Sequence, residues 1–245
     1  MASTLLNIRT LAKTVRRKAL GEPDPANDIH YLHIGKCAGT QVLTLAQSVN
    51  ALRPRKRILK RSHDVYLKHL PANAEYFFSI RDPLSRFRSG FYSRKRKGQP
   101  RNYFEWSADD EQAFSDFAEA NDLAESLFKD GDLGAKAWSA MKSIRHVAQN
   151  QSDWFYCRGN FLKIRPPIWI LRTEHFDKDL KTFLERADLG VPTDALQASD
   201  DPIDRHSNDY KSIPDLSDKA LKNLKTWYAQ DIAFYQTCET WMAQQ

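Results

Sequence analysis

Residues 30–43 read HYLHIGKCAGTQVL, and the fold turns on how this stretch is read. Ile29, Tyr31, Leu32 and Ile34 supply the apolar and β-preferring side chains of a short buried strand. Gly35 and Gly39 bracket a turn, where glycine lets the backbone curl tightly and come close to a ligand. Thr40 then opens a helix expected to run to about Val49. A helix start carries N–H groups without intrahelical partners, and a lysine beside them completes an anion site. The loop is expected to hold a phosphate or sulfate group touched by Lys36. It is not a Walker A loop: G-x-x-x-x-G-K-[ST] puts the lysine after the second glycine, whereas Lys36 follows the first. An ordinary βα turn with an exposed lysine is the plain alternative.

A second junction carries similar chemistry. Glu75–Ile80, EYFFSI, is the clearest strand in the chain, and it runs into Arg81-Asp82-Pro83 and then LSRFRSGFYSRKRK. Asp82 suits a helix N-cap and Pro83 the first helical position. Leu84, Phe87 and Phe91 recur at helical spacing and should face the core. Arg81 and Ser89 are then left as polar groups near that end of the sheet. Arg81 offers a planar fork suited to a phosphate dianion, with a surface ion pair as the alternative use. Ile58 and Leu59 mark a third short strand, and His63 lies just past its end. Ligands of open α/β sheets gather at the carboxyl ends of strands, so His63 is a candidate for the same crevice as Lys36.

Around these junctions the chain alternates. Tyr103–Ile144 reads as helices broken near Asp130–Gly134, with Phe104, Trp106, Phe114, Phe117, Leu123, Leu127, Phe128, Trp138 and Met141 as expected core residues. His146, Gln149 and Trp154–Tyr156 form a polar–aromatic stretch that either lines an acceptor site or packs as a loop. Ile168–Leu171 is a buried strand, and an amphipathic helix with Phe176, Leu180, Phe183 and Leu184 starts at Glu174. Gly190–Pro214 is a long polar loop, and helices over Ser217–Trp227 and Tyr228–Met242 close the chain. Strands separated by helices predict an α/β fold, a three-layer sandwich with a mainly parallel sheet. Residues 1–27 are expected to form an N-terminal helix and linker, and 28–245 one domain with a helical insertion at about 103–145.

Composition bounds the rest. The 245 residues are 41% hydrophobic and 28% charged, ordinary for a soluble globular protein. No stretch approaches the roughly 20 apolar residues of a membrane span. The basic N-terminal stretch is a poor secretory signal. It suits an amphipathic helix packing on the domain or touching a membrane surface, with a mitochondrial presequence as another option. Cys37, Cys157 and Cys238 have neither zinc-ligand nor disulfide-framework spacing, which points to a reducing compartment, and with no membrane anchor read in the sequence a cytoplasmic location is expected. Cys37 reads as a small residue filling the turn. The net charge of +6 is concentrated in two runs, Arg53–Arg61 and Arg94–Lys97. Such runs are commonly solvated faces, and otherwise attract polyanions.

Two stretches together resemble a known family. YLHIGKCAGT resembles the 5′-phosphosulfate loop of sulfotransferases, H-I-P-K-x-[AG]-G-[TS], and FFSIRDPLSRFRSGF their 3′-phosphate element, R-D-P-x-x-R-[FY]-x-S. The nearest likeness is to Golgi-type carbohydrate sulfotransferases and their bacterial relatives. The resemblance implies a fold related to P-loop nucleotide kinases. It implies 3′-phosphoadenosine 5′-phosphosulfate (PAPS) as donor, and adenosine 3′,5′-bisphosphate (PAP) as product. By motif position, Lys36, Cys37, Ala38, Gly39 and Thr40 would hold the 5′-phosphosulfate, and Arg81 and Ser89 the 3′-phosphate. His63 falls where several members carry a general base, and an imidazole of ordinary pKa about 6.5 suits that role. Gly35 departs from the family's usual Pro. The acceptor would be a hydroxyl, on a glycan by this likeness; neither nucleic acid nor a metal is expected. Two other readings stand beside this one: a nucleotide-dependent kinase of related fold, and a non-enzymatic binder of acidic polymers using the basic runs.

Overall fold

Parallel strands β1 (Ile29–Leu32), β2 (Ile58–Lys60), β3 (Tyr76–Ile80) and β4 (Ile170–Arg172) form a sheet in the order β2-β1-β3-β4. They are seen in a computed structural model that describes residues 27–100, 102–156, 159–192, 196 and 213–245. The expected N-terminal helix and most of the loop between Gly190 and Pro214 lie outside the described residues. Every residue of β1 and of β3 is buried. Near-continuous apolar runs of this kind are what a parallel sheet covered on both faces requires. His30 sits in register with Leu59 on one side and Tyr76 on the other. The chain is thus the α/β protein that its alternating elements predict.

The helices, in chain order, are α1 (Gly39–Ala51), α2 (Pro83–Lys95), α3 (Ala108–Asp116), α4 (Ala120–Ser126), α5 (Asp132–Ser143), α6 (Phe161–Ile164), α7 (Phe176–Arg186), α8 (Asp218–Trp227) and α9 (Ala229–Ala243). α1 is the crossover that parallel neighbours β1 and β2 need. The chain goes from β1 out to β2, then returns to β1's other side as β3. That reversal makes the carboxyl ends of β1 and β3 a topological switch point, where α/β sheets bind ligands. Ile34–Cys37 leaves the sheet after β1, and Arg81 after β3.

The chain divides into two compact units. The first takes in the chain up to His33, Ala38–Ser79, and the segment that begins at Pro166. In it, the apolar face of α7 is buried and the Phe183 ring lies 4.1 Å from that of Phe77 on β3. Asp179 of α7 accepts hydrogen bonds from the backbone N, Nε and Nη2 of Arg172, each at 2.9 Å, which ties α7 to the end of β4. The strand expected over Ile168–Leu171 enters the ladder two residues late. Ile168 N still donates to the Tyr76 carbonyl at 2.8 Å. A single 3₁₀ turn, Thr173–His175, precedes α7 where the helix was expected to start.

The second unit holds Ile34–Cys37, Ile80–Arg165 and the C-terminal helices. The Asp82 carboxylate accepts from Ser85 N at 2.8 Å and Pro83 occupies the first turn of α2, as read from the sequence. Phe87 and Phe91 enter a core with Phe114, Phe117, Leu123, Leu127, Met141 and residues of α8. Three expected core aromatics do not. Phe104, Phe128 and Trp138 are 51%, 47% and 43% exposed. Trp138 has its own surface partners: Nε1 donates to the Leu127 carbonyl, and Lys142 lies over the ring. Conversely, Trp154 and Phe155 are fully buried, so they pack the fold and do not line an acceptor site; Phe155 stacks on Phe161 at 4.2 Å. No helix among the described residues is long and apolar enough to cross a membrane.

Candidate active site

The loop after β1 is strained where the sequence did not suggest it. Positive φ falls on Lys36 (68°) and Ala38 (55°), not on the bracketing glycines. A left-handed residue on each side of Cys37 is the backbone form of an anion-cradling nest. The glycines serve close approach instead. A Cβ at Gly35 would lie 2.3 Å from His146 Nδ1, and one at Gly39 would lie 1.9 Å from His33 Nε2. Each glycine is therefore the seat of an imidazole ring. No side chain caps α1, whose N-cap is Ala38. Its first turn, with Thr40 partly exposed, offers N–H groups in the manner of an anion site.

In the second unit, Lys36 stands among guanidinium groups. Its pKa is lowered to about 8, first by desolvation, then by Arg81 and Arg96, with a smaller push from Arg86. Among the described residues neither Lys36 nor Arg81 forms an ion pair. The surface ion pair that Arg81 could have served is absent there. Its Nε donates to Ser85 Oγ at 2.9 Å, and Nη1 reaches the Lys36 carbonyl at 3.5 Å, the outer limit of a hydrogen bond. Ser89, two turns into α2, is buried at 3% exposure. Cys37 is fully buried, its thiol donating to Gln151 Oε1 at 3.3 Å, as a turn-filling residue would.

Two side chains that local reading passed over hold this region. Arg86 is 1% exposed; its Nε donates to the Gly35 carbonyl at 2.9 Å and Nη1 to the Gln149 carbonyl at 2.7 Å. Asp231 of α9 lies 3.9 Å from Arg86 and accepts from Gln151 N at 2.7 Å. Arg86 stands inside the RDPLSRF motif, so its presence was readable although its partner was not. Nothing near Asp231 in the sequence marks it.

In the first unit, the His33 ring that covers Gly39 also meets His63, with ring centroids 3.9 Å apart. His63 Nδ1 lies 3.0 Å from the His33 carbonyl oxygen. A carbonyl can only accept, so Nδ1 carries the hydrogen, and in the neutral ring the lone pair falls on Nε2. In that neutral form Nε2 is the nitrogen able to accept a proton. His33 is held neutral, its pKa lowered to about 2 by burial first, then by His63 and Lys60.

The basic runs are largely spoken for within the fold. In the first unit Arg57 makes two bonds to Asp28, at 3.0 and 2.6 Å, and Lys56 reaches Glu75 at 2.7 Å. Arg55 pairs with Asp188, and Arg61 donates to His30 Nδ1. In the second unit Arg94 pairs with Asp110 at 2.6 Å, Lys95 with Glu119 at 3.0 Å, and Lys97 with Glu105. Charges tied to carboxylates present little net field to a polyanion.

A model of the sulfotransferase family matches residues 23–236, nearly the whole chain. The chain belongs to the sulfotransferase family. No curated protein and no solved structure matches it. Membership makes it a transferase of sulfuryl groups, and it gives meaning to this sulfotransferase's departure at Gly35. A proline ring there would need the space that His146 fills. Gly35→Pro is expected to destabilise the protein by about 1–3 kcal/mol through overpacking. Adding His146→Ala should recover most of the loss, read as the midpoint of thermal unfolding. An undiminished penalty in the double variant would mean that His146 is not the obstruction.

Proposed function

We propose that this sulfotransferase moves the sulfuryl group of PAPS to an acceptor hydroxyl, with a glycan as the acceptor class. The observation that carries the donor assignment is the group of cations around the Lys36 loop. Lys36 is depressed by desolvation first and then by repulsion from Arg81 and Arg96, with a smaller push from Arg86. A bound dianion relieves that repulsion. Lys36 and the loop N–H groups of Cys37, Ala38, Gly39 and Thr40 are assigned to the 5′-phosphosulfate, and Arg81 and Ser89 to the 3′-phosphate.

The chemistry parallels phosphoryl transfer, in which positioning and charge stabilisation do most of the work. The acceptor oxygen attacks sulfur, a new S–O bond forms, and the S–O bond to the 5′-phosphate breaks. Lys36 neutralises charge growing on the bridging oxygen. His63, in its Nδ1–H tautomer, takes the hydroxyl proton on Nε2. PAP leaves. A glycan acceptor is supported by the likeness of the two motifs to those of carbohydrate sulfotransferases. The kinase reading lacks its G-K-[ST] sequence, and the polymer-binding reading is weakened by the pairing of Arg55, Lys56, Arg57, Arg94, Lys95 and Lys97 with carboxylates of the same chain.

The test is calorimetric titration with PAP. Wild type should bind, and ATP should compete poorly. Arg81→Ala removes a charge-assisted contact of about 1.5–3 kcal/mol, so PAP affinity should fall by about 10–100-fold. Binding that is absent in wild type, or unchanged in Arg81→Ala, defeats the donor assignment.

A further inference from the structure

Gln151 is fully buried, yet its amide uses all of its hydrogen-bonding capacity. Oε1 accepts from Arg81 N at 2.9 Å and from Cys37 Sγ at 3.3 Å. Nε2 donates to the Arg81 carbonyl at 2.8 Å and to Asp231 Oδ2 at 3.2 Å. The orientation of the amide is fixed by these partners: the Arg81 N–H demands an acceptor and the Arg81 carbonyl a donor. Asp231, itself inaccessible to solvent, holds the glutamine backbone from behind through Gln151 N, 2.7 Å, and Ser152 N, 3.3 Å. Arg81 lies just past the last residue of β3. There the glutamine amide takes the place of a neighbouring strand, bonding both backbone groups of one residue.

The same side chain thus grips Cys37, in the loop that follows β1, and Arg81, in the segment that follows β3. We infer that Gln151 is a positioning residue that sets the distance between the two anion-binding elements, and thereby favours nucleotides phosphorylated at both the 3′ and 5′ positions. This rests on the donor assignment above. The physical reason is preorganisation. A ligand that must engage two elements at once gains from their fixed spacing, because it does not spend binding energy on bringing them together. A ligand held by one element gains nothing from it.

Gln151→Met keeps the length and most of the volume of the side chain and removes its hydrogen bonds. The experiment measures dissociation constants of PAP and of adenosine 5′-monophosphate, by calorimetry, for wild type and variant. Wild type should prefer PAP. In Gln151→Met, affinity for PAP should fall by about tenfold or more while affinity for the monophosphate falls by less than about threefold, so that the preference shrinks. A purely structural role would lower the melting temperature and weaken both ligands equally. Cys37→Ala cuts only the loop-side arm and should shift the ratio in the same direction by a smaller factor. It carries the test if Gln151→Met does not fold. A wild type without preference for PAP overturns the donor assignment and this inference together. A wild-type preference that survives in the variants overturns the inference alone.

Discussion

Lys36→Ala is expected to lower kcat/KM for sulfuryl transfer by at least about 10²–10³-fold, the usual cost of deleting one group aimed at transition-state charge. The loss should fall mainly on kcat, because the charge on the bridging oxygen grows as the S–O bond breaks and an interaction made in the transition state acts on the chemical step. The lysine is also poised in an unusual way. Burial and three neighbouring guanidinium groups lower its pKa to about 8. Anion binding needs the ammonium form; below pH 8 that form is already present in the free enzyme. Above pH 8 the lysine must take up a proton to bind, so affinity falls, by up to about tenfold per pH unit. PAP affinity measured between pH 7.5 and 9.5, where its phosphates are fully ionised, should therefore decline in wild type and stay flat in Lys36→Arg, whose guanidinium does not titrate. A flat wild-type curve would mean that Lys36 does not meet the anion.

The parts of the site that lie within a few residues of one another were legible in the sequence. β1, β3, the Asp82 cap, Pro83 at the start of α2 and the burial of Phe87 and Phe91 all follow from local propensity and period. The nearness of Lys36 to Arg81 was implied only by the family resemblance; the strand order that puts the carboxyl ends of β1 and β3 side by side is seen in the structure. What the sequence hid depends on partners distant along the chain. Gln151 meets Cys37 across 114 residues and Asp231 across 80, and no periodicity announces such contacts. The glycines show the same limit in a subtler form. Gly35 and Gly39 were read as turn formers, whereas they make room for the imidazoles of His146 and His33, and the left-handed backbone falls on Lys36 and Ala38. Helical spacing likewise gave the core face of α2 but misplaced Trp138, since an aromatic ring at the edge of a buried stripe can remain on the surface with its N–H bonded to a carbonyl.

Arg86→Met should be the most destabilising single change near the site, at about 3–5 kcal/mol, measured by denaturant unfolding. The guanidinium is buried and makes three contacts: the Gly35 carbonyl, the Gln149 carbonyl and the Asp231 carboxylate. Methionine fills most of the space but leaves two buried carbonyls short of a donor, and a buried carboxylate without its cation. Burial already raises the pKa of Asp231, and Arg86 is the first of the groups that oppose that rise. Removing the arginine must raise it further. A carboxyl with a raised folded-state pKa binds its proton more tightly in the folded chain than in the unfolded one. Its contribution to stability is therefore best at low pH, and is lost as pH rises from the ordinary value of 3.8 through the raised value. The deficit of Arg86→Met relative to wild type should accordingly be smaller at pH 5 than at pH 7.5. Arg55→Ala provides the contrast: its pair with Asp188 is exposed on both sides, 66% and 62%, and its loss should cost less than about 0.5 kcal/mol at either pH. Equal costs for the two arginines would mean that the Gly35 carbonyl, and with it the loop that carries Lys36, is held by something other than the Arg86 guanidinium.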